Sequence, residues 1–273
     1  DIVITGLANN VSPEARILGV PKLKAEKSDN ISFGFGFNPS RNFSLTADYY
    51  SINIDDRIVY SQEVTKPDPD PLRSINATSF FINAAQTKTS GIDVVANYRN
   101  IGVGSGRLSL NLAGNYTIEN KLVGGYKSLN DDFGLPIFTQ TLESLLTTSR
   151  PKYKFILGAD LTSGKFAINL NNTLFGPTQF NNADLSSAGA PAGGKALRVE
   201  FLPKILTDLG ISYNFNSHTA LSVTIQNILN VFPEFELKAE NASGESILSD
   251  PALVAEQISY ITFNGRYPVL TYD

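Results

Sequence analysis

Residues 31–37 read Ile31-Ser32-Phe33-Gly34-Phe35-Gly36-Phe37, so that large apolar side chains alternate with small ones. Successive side chains of a β-strand point to opposite faces of the sheet. A period of two is therefore typical of a strand that turns one apolar face to its surroundings. This segment predicts such a strand, with the isoleucine and the three phenylalanines on the apolar face.

The same period of two recurs along the chain. The other segments that show it are residues 43–49, 92–98, 108–116, 153–161, 166–174, 209–215 and 221–225, and a weaker one lies near 261–271. At Tyr49-Tyr50 the apolar phase slips by one residue, which predicts either a bulge or the end of the strand's apolar surroundings. The sequence thus predicts an all-β protein with about nine antiparallel strands.

The connections between these strands alternate between short and long. Short turns rich in Gly, Pro, Asn and Ser cover residues 38–42, 100–106, 163–164 and 216–218. The long connections each have about thirty residues and cover residues 60–88, 118–150, 176–204 and 231–260. Compact soluble domains rarely contain repeated loops longer than ~15 residues, whereas transmembrane barrels have short turns at one end and long loops at the other. The pattern favours an antiparallel transmembrane β-barrel.

Strand length and aromatic placement agree with a membrane location. Segments of ten or eleven residues match the ~9 to 11 residues that a tilted strand needs to cross the hydrocarbon layer. Aromatic residues lie toward the strand ends, where interfacial girdles are found. They are Tyr49, Tyr50, Tyr98, Tyr116, Tyr153, Tyr213 and Phe215.

Alternation alone also fits a soluble β-sandwich or solenoid with a role in adhesion or carbohydrate binding, which is the alternative interpretation. The polar residues between the apolar ones would line the lumen of a barrel but face solvent in a sandwich. They include Asp48, Asp93, Arg99, Asn111, Asn171 and Asp208. The loop lengths decide in favour of the barrel.

Composition excludes several classes of protein. Lys and Arg number 22 against 26 for Asp and Glu, and no basic run occurs, so a nucleic-acid partner is not expected. Cysteine is absent and His218 is the only histidine, which excludes disulfides, thiolate sites and multi-histidine zinc sites. No run approaches the ~18 apolar residues of a transmembrane helix, and residues 1–10 do not resemble a signal peptide.

Few segments suggest chemistry. His218 beside Ser217 raises a third hypothesis, an outer-membrane hydrolase, although a histidine in a turn is usually only solvated. Residues 102–106 and 186–194 are interpreted as a turn and a flexible loop tip, and 67–71 as a rigid loop in preference to a calcium site. Asp250-Pro251 predicts the start of a short helix over 250–258. No catalytic, metal-binding, cofactor-binding or substrate-binding residue is assigned, no cofactor is expected, and the protein is predicted not to be an enzyme.

Several stretches resemble the barrel of TonB-dependent receptors. Leu23-Lys24-Ala25-Glu26-Lys27-Ser28 is similar to a family signature that usually has proline where Ala25 stands. Val223 to Asn230 resembles the family's Asn-Leu-Phe-Asn motif, with Leu229 in place of phenylalanine. Further similar stretches, in the family's order, are residues 42–50 continuing to 54–58, Thr89 to Asp93, and Gly265 to Pro268.

The resemblance implies that residues 1–273 are a C-terminal part of a 22-stranded outer-membrane barrel, without the plug domain and the last strand. It implies energy-coupled uptake of a scarce nutrient, namely a ferric siderophore, cobalamin or an oligosaccharide. The implied partners are outer-membrane lipid and lipopolysaccharide, the protein's own plug domain, the TonB complex and the small nutrient ligand. Because an open sheet leaves two unpaired edges, the segment alone is expected neither to transport nor to fold as a stable monomer.

Overall fold

The computed structural model describes residues 5–7, 9–17, 20–61, 64–65, 77–124, 140–181 and 196–261. Its strands are β1 (Thr5–Leu7), β2 (Lys27–Ser40), β3 (Phe43–Tyr60), β4 (Val64–Thr65), β5 (Ala77–Ser79), β6 (Phe81–Val103), β7 (Gly106–Gly124), β8 (Tyr153–Ser163), β9 (Phe166–Phe175), β10 (Thr178–Phe180), β11 (Leu197–Phe201), β12 (Lys204–Asn214), β13 (Ala220–Ile225) and β14 (Phe235–Ala239). Its helices are α1 (Pro13–Ile17), α2 (Gln140–Thr147), α3 (Ala242–Leu248) and α4 (Pro251–Ile261). No helix in these ranges is long and apolar enough to cross a membrane.

One antiparallel sheet of eight strands dominates the fold. Its order is β2-β3-β6-β7-β8-β9-β12-β13, and each strand pairs in sequence order with the next strand of the sheet. These eight strands match the eight segments that alternation predicts most clearly, and only Phe215 lies beyond the end of its strand, β12. The prediction of a weaker ninth strand near residues 261–271 is wrong at its first residue, because Ile261 ends helix α4. Residues 262–271 lie outside the described residues.

The apolar side chains of the sheet share one face, and no second layer formed by the described residues covers it. Cross-strand register places Phe35 opposite Ala47, and Leu112 opposite Leu157, along this face. Phe33 is 70% exposed, Leu157 50% and Leu221 58%. A β-sandwich would bury such rows against a second sheet, so the alternative interpretation is wrong. Asn172 is the polar interruption of this face, and its side chain accepts a hydrogen bond of 2.8 Å from Thr207 Oγ1.

Aromatic rings form two rows at the borders of this apolar face. Tyr116 stacks on Tyr153 at one border, with 6.4 Å between ring centroids. At the other border Phe166 packs edge-on against Tyr213 at 4.8 Å, and Phe43 against Tyr98 at 6.1 Å. These rows match the predicted girdles, since rings with a polar tip concentrate at the two edges of a membrane.

Tyr50 does not belong to the predicted aromatic girdle, and the bulge predicted at Tyr49-Tyr50 is absent. The β2–β3 and β3–β6 registers run without a shift through Tyr49 and Tyr50, so no bulge exists there. Tyr50 instead points to the polar face, where its hydroxyl accepts a 3.0 Å hydrogen bond from Asn115. The phase slip therefore marks a polar contact on the inner face. Register shifts occur farther along, on either side of Arg57 and between Ser90 and Gly91.

Short turns lie at one end of the sheet, here called the turn end, and the opposite end is called the loop end. The turns follow β2, β6, β8 and β12. Gly104 and Gly164 adopt left-handed backbone angles in two of them, with φ of +57° and +55°, which glycine adopts without a steric penalty. The predicted turn at residues 102–106 is confirmed at Gly104 and Ser105, while Gly102, Val103 and Gly106 belong to the strands on either side.

The loop-end connections contain more regular structure than predicted. Strand β6 begins at Phe81 and β7 continues to Gly124, so residues 81–88 and 118–124 belong to strands and not to loops. Their backbone groups pair with each other, as in Lys88 opposite Lys121. Strands β3, β6 and β7 have 18, 23 and 19 residues, well beyond the length that crosses the hydrocarbon layer.

Two predicted loops combine into one small body at the loop end. Strands β10, β11 and β14, from the 176–204 and 231–260 connections, form a three-stranded antiparallel sheet. Val199 and Phe201 of β11 are buried against Phe235 and Leu237 of β14. The predicted helix after Asp250 is confirmed as α4, and the Asp250 side chain accepts a hydrogen bond from the Ala252 amide. The predicted loop tips at 67–71 and 186–194 lie outside the described residues.

Candidate functional site

The polar face of the sheet carries a network of amides around one carboxylate. Asp160 accepts hydrogen bonds from Asn169 Nδ2 at 2.6 Å and Asn111 Nδ2 at 3.3 Å. Asn171 extends the network by donating to Asn169 Oδ1 at 2.6 Å. A Cβ atom on Gly158 would lie 2.4 Å from Asn111 Oδ1, so this glycine makes room for the network. The network fixes a hydrophilic wall on the side of the sheet opposite to the apolar rows.

A second polar centre lies nearer the loop end. Asn115 Nδ2 donates to Asp93 Oδ1 at 2.7 Å as well as to the Tyr50 hydroxyl. Asp48 is directly opposite Asp93 across the β3–β6 pair. Opposed like charges are unfavourable in a sheet, and the Asn115 donor offsets part of that repulsion at Asp93.

The structure places five of the six predicted lumen residues on this polar face. Asp48, Asp93, Asn111, Asn171 and Asp208 alternate with residues of the apolar rows in the strand registers. Arg99, the sixth, is exposed at the turn end next to Asn100, where the β6–β7 register shifts.

A cleft of about 570 Å³ opens on the polar face at the loop end. Its floor includes Tyr50, Thr89 and Asn115 of the sheet, and helix α2 with the residues that follow forms one side. Leu142 and Leu146 of α2 pack against a buried cluster that includes Val59, Phe80 and Ile82. The helix is thereby held against the wall of long strands.

Asn120 of β7 fixes the C-terminal end of α2 over the cleft. Its Nδ2 donates to the carbonyl oxygens of Leu146 and Thr147, at 3.2 and 2.8 Å, and its Oδ1 accepts from Thr89 Oγ1 at 2.9 Å. The last carbonyls of a helix lack partners within the helix, so one amide satisfies two of them. Beyond the helix, Thr148 Oγ1 donates to the Gln179 carbonyl at 2.7 Å, which joins this side of the cleft to β10.

The charged residues that line the cleft are cations. They are Arg57, Arg150 and Lys152, and no described Asp or Glu lines it. Arg57 Nη1 donates to Thr87 Oγ1 at 3.1 Å, and no carboxylate of the described residues pairs with Arg57 or Arg150. The Lys152 ammonium is 5.8 Å from the centroid of the Tyr116 ring, on the apolar face of the sheet. Two arginines that no carboxylate of the described residues pairs with thus face the cleft.

This cleft was not predicted from the sequence. Arg57 follows Asp55-Asp56 in a stretch that resembles the family's barrel, and Arg150 lies 93 positions later in a predicted loop. Asp56 adopts a left-handed φ of 52° at the bulge that precedes Arg57. The excess of asparagine on the strands was the one available signal that a polar wall would form there.

The two family-like motifs hold backbone in place. Glu26 of the first motif accepts a 2.5 Å hydrogen bond from the Ile58 amide, and Lys24 exchanges two backbone hydrogen bonds with the Asn83 side chain. In the second motif Asn227, with φ of 47°, exchanges two 2.9 Å hydrogen bonds with the Val231 backbone. The Asn227 amide also donates to Asp208 Oδ1 at 2.7 Å.

His218 lies in the turn between β12 and β13. Its Nδ1 is 2.9 Å from Ser217 Oγ, a contact between neighbouring exposed residues. No carboxylate among the described residues bonds to its ring, so the geometry lacks the third member of a triad. No group of three or more metal-ligating side chains is found in the described part of the chain.

These features define a class of protein. An antiparallel sheet with a bare apolar face between aromatic rows, and with a hydrophilic opposite face, is the wall of a transmembrane β-barrel. The sequence matches a family model described as TonB dependent receptor-like, beta-barrel, over residues 4–228. The chain belongs to the TonB-dependent receptor β-barrel family, whose proteins lie in the outer membrane.

Solved structures with this fold include two transporters. The outer membrane transporter YddB from Escherichia coli has a TM-score of 0.55 and 14% identity, with 77% of this chain and 29% of that chain covered. The FrpB iron transporter from Neisseria meningitidis, F3-3 variant, has a TM-score of 0.51 and 13% identity, with 88% and 30% covered. The chain therefore spans less than a third of the length of these proteins. Comparison with curated proteins found no significant match.

Family membership orients the sheet. In outer-membrane barrels the short turns are periplasmic and the long loops extracellular. The turn end is therefore the periplasmic end, the apolar rows face lipid, and the cleft beside α2 opens on the extracellular side of the lumen. The family is one of receptors and not of enzymes.

Proposed function

We propose that the full-length protein takes up a scarce anionic nutrient, of the ferric siderophore class, across the outer membrane with energy from the TonB complex. The observation that carries this proposal is the pair of arginines, Arg57 and Arg150, in a cleft that no described carboxylate lines. Its volume of about 570 Å³ lies within the ~300–1,000 Å³ that is usual for small-molecule sites.

Charge selects among the three nutrient classes. Arginine presents planar donors that match carboxylate and other oxyanion groups, and it stays charged at all ordinary pH values. A neutral oligosaccharide gains little from two such groups, whereas an anionic iron complex pairs with both. The cleft therefore favours a ferric siderophore over an oligosaccharide or cobalamin.

The barrel itself extends beyond this chain in the proposal. Strands β2 and β13 are the two outer strands of the eight-stranded sheet. Unpaired strand edges are not tolerated in lipid, so we infer that other strands of the full-length protein pair with both and close the barrel. Residues 1–273 would then be a part of the barrel domain, with a plug domain lying against the polar face.

Uptake in cells tests the function. The full-length receptor is expressed in a strain that lacks its own ferric siderophore receptors, with and without a working TonB gene, and is offered iron-55-labelled anionic siderophores, labelled cobalamin or a labelled maltooligosaccharide. The expected result is uptake of an iron complex that disappears without TonB. Uptake that persists without TonB, or that is confined to the other two nutrients, contradicts the proposal.

Binding to the purified full-length receptor tests the site. The double variant Arg57→Gln with Arg150→Gln is expected to weaken binding of the transported iron complex roughly ten- to a hundredfold for each arginine that contacts it, because hydrogen bonds to charged groups contribute about 1.5–3 kcal/mol. Arg107→Gln is the matched control, since Arg107 is exposed at the periplasmic turn. Equal affinities of the two variants for the iron complex would rule out the cleft as its binding site.

A further inference from the structure

Tyr50 contributes a phenol hydroxyl to the floor of the cleft. The β3–β6 register pairs Tyr50 with Gly91, one position from the lipid-facing pair of Tyr49 with Ile92. The Tyr50 side chain therefore points into the lumen, and it lines the cleft, as Arg57 does. It is also the residue at which the apolar period of β3 slips by one position. The slip brings an aromatic ring with a polar tip into the cleft.

Gly91 provides the space that the Tyr50 ring occupies. A Cβ atom on Gly91 would lie 2.4 Å from the Tyr50 hydroxyl oxygen, 2.7 Å from Cζ of the same ring and 2.8 Å from the Tyr116 carbonyl oxygen. These distances are well below the ~3.5–4.0 Å of optimal contact between carbon atoms, so a larger residue would displace the ring. Gly91 belongs to the stretch from Thr89 to Asp93 that resembles the family. In this chain its missing side chain determines where the phenol lies.

Asp93 fixes the direction of the hydrogen bond between Asn115 and Tyr50. An ionised carboxylate only accepts hydrogen bonds, so the Asn115 atom that lies 2.7 Å from Asp93 Oδ1 is the amide nitrogen, Nδ2. The amide oxygen accepts in turn from Thr117 Oγ1 at 3.4 Å. Because the same Nδ2 is 3.0 Å from the Tyr50 hydroxyl oxygen, that oxygen is the acceptor in this hydrogen bond. The phenol keeps its own proton for another partner.

The Tyr50 proton is available to a molecule in the cleft. A phenol has one O–H donor, and within the described residues the Tyr50 hydroxyl makes a single hydrogen bond, the one that it accepts from Asn115. The ring is held in place by the space at Gly91 and by the Asn115 amide. Since the residue lines the cleft, an acceptor atom on a bound molecule can complete the hydrogen bonding of the phenol.

We propose that Tyr50 donates a hydrogen bond to an oxyanion oxygen of the bound iron complex, with Asn115 and Gly91 as the residues that position its hydroxyl. The inference rests on the proposed function and adds to it a residue that selects the ligand by its acceptor atoms. Arg57 and Arg150 carry only donors, and the Tyr50 oxygen already accepts from Asn115. These three side chains therefore match a ligand that presents oxygen acceptors to them, as carboxylate and catecholate complexes of iron do.

Equilibrium binding to the purified full-length receptor tests the inference, with iron(III) citrate and the iron(III) complex of 2,3-dihydroxybenzoate as the two probes. The variant is Tyr50→Phe, which keeps the ring and removes the hydroxyl. Tyr49→Phe is the matched control, because it removes the same atom from the neighbouring residue on the lipid-facing side of the sheet. The double variant Arg57→Gln with Arg150→Gln is measured in parallel. Thermal unfolding of each protein reports its stability.

The affinity of Tyr50→Phe for the probe that wild type binds more tightly is expected to be roughly ten- to a hundredfold lower than that of wild type, because a hydrogen bond to a charged acceptor is lost. Tyr49→Phe is expected to match wild type. A lower melting temperature of Tyr50→Phe with unchanged affinity would show that the hydroxyl is only structural and would overturn the inference.

The arginine variant separates this inference from the proposed function. Loss of affinity in the double arginine variant, with wild-type affinity in Tyr50→Phe, overturns the inference and leaves the proposed function standing. Equal affinities of wild type and the double arginine variant overturn the proposed function as well. Binding of neither probe by wild type overturns the inference, because the site would then not recognise carboxylate or catecholate oxygens.

Discussion

Leu157 allows a sharp test of which face of the sheet meets lipid. It is the third of five lipid-facing residues on β8, which places it near the middle of the hydrocarbon layer, and it is 50% exposed. Leu161 is on the same face of the same strand, nearer the periplasmic girdle and opposite Leu108 and Ile168. The two leucines therefore differ in depth but not in strand or face.

Arginine at these positions is expected to cost different amounts of stability. A charged residue on the lipid face of a barrel costs about 2–4 kcal/mol at the midplane and about 0–1 kcal/mol near the interface. Leu157→Arg is thus expected to lower the folding equilibrium constant roughly thirty- to a thousandfold, and Leu161→Arg much less. Leu157→Ala separates the gain of a charge from the loss of the leucine, and its cost is expected to be well below that of arginine.

Equilibrium unfolding of the full-length receptor in phospholipid vesicles, followed by fluorescence and by electrophoretic mobility without heating, measures these differences. Equal costs for Leu157→Arg and Leu161→Arg would refute the depth argument. A Leu157→Arg variant as stable as wild type would refute the assignment of this face to lipid.

Two further predictions concern polar contacts. Asn120→Ala removes two hydrogen bonds to the end of α2. Because each unsatisfied group costs about 1–3 kcal/mol, the rate of amide hydrogen exchange over residues 140–147 is expected to rise roughly ten- to a hundredfold. An unchanged exchange rate would show that the packing of α2 alone holds the helix in place. Asn227→Ala loses both hydrogen bonds to Val231 and keeps a strained left-handed backbone. The free energy of unfolding is expected to fall by about 2–4 kcal/mol in the same unfolding assay. A loss below about 0.5 kcal/mol would show that these two hydrogen bonds do not hold the turn.

The sequence was most informative where the membrane imposes a rule on side chains. Between the two girdles every second residue must suit lipid, so alternation alone places Phe33, Leu112 and Leu157 on the lipid-facing side of the sheet. The rule ends at the membrane border. Phe81 to Lys88 continue as strand without alternation, because neither face meets the hydrocarbon layer there, and the sequence alone predicted a loop.

Long-range pairing explains the other errors. Arg198 of β11 pairs with Lys238 of β14, forty residues away, in a small sheet that joins two connections predicted to be separate loops. Arg57 and Arg150 line one cleft only because Asn120 and the leucines of α2 bring the β7–β8 connection back onto the polar wall. Local pattern carries no information on such contacts. Helix α4 was predicted because an Asp-Pro start is a local signal, and the ninth strand failed because its first residue belongs to that helix.

Topology on intact cells tests the central claim most directly. This chain contains no cysteine, and any cysteine elsewhere in the full-length receptor is first replaced. Single cysteines are then introduced at two exposed serines, Ser246 in the extracellular α3 and Ser217 in a periplasmic turn. A membrane-impermeant maleimide is expected to label Ser246→Cys on intact cells and Ser217→Cys only after the outer membrane is permeabilised. Equal labelling of both positions on intact cells would contradict an outer-membrane barrel in this orientation.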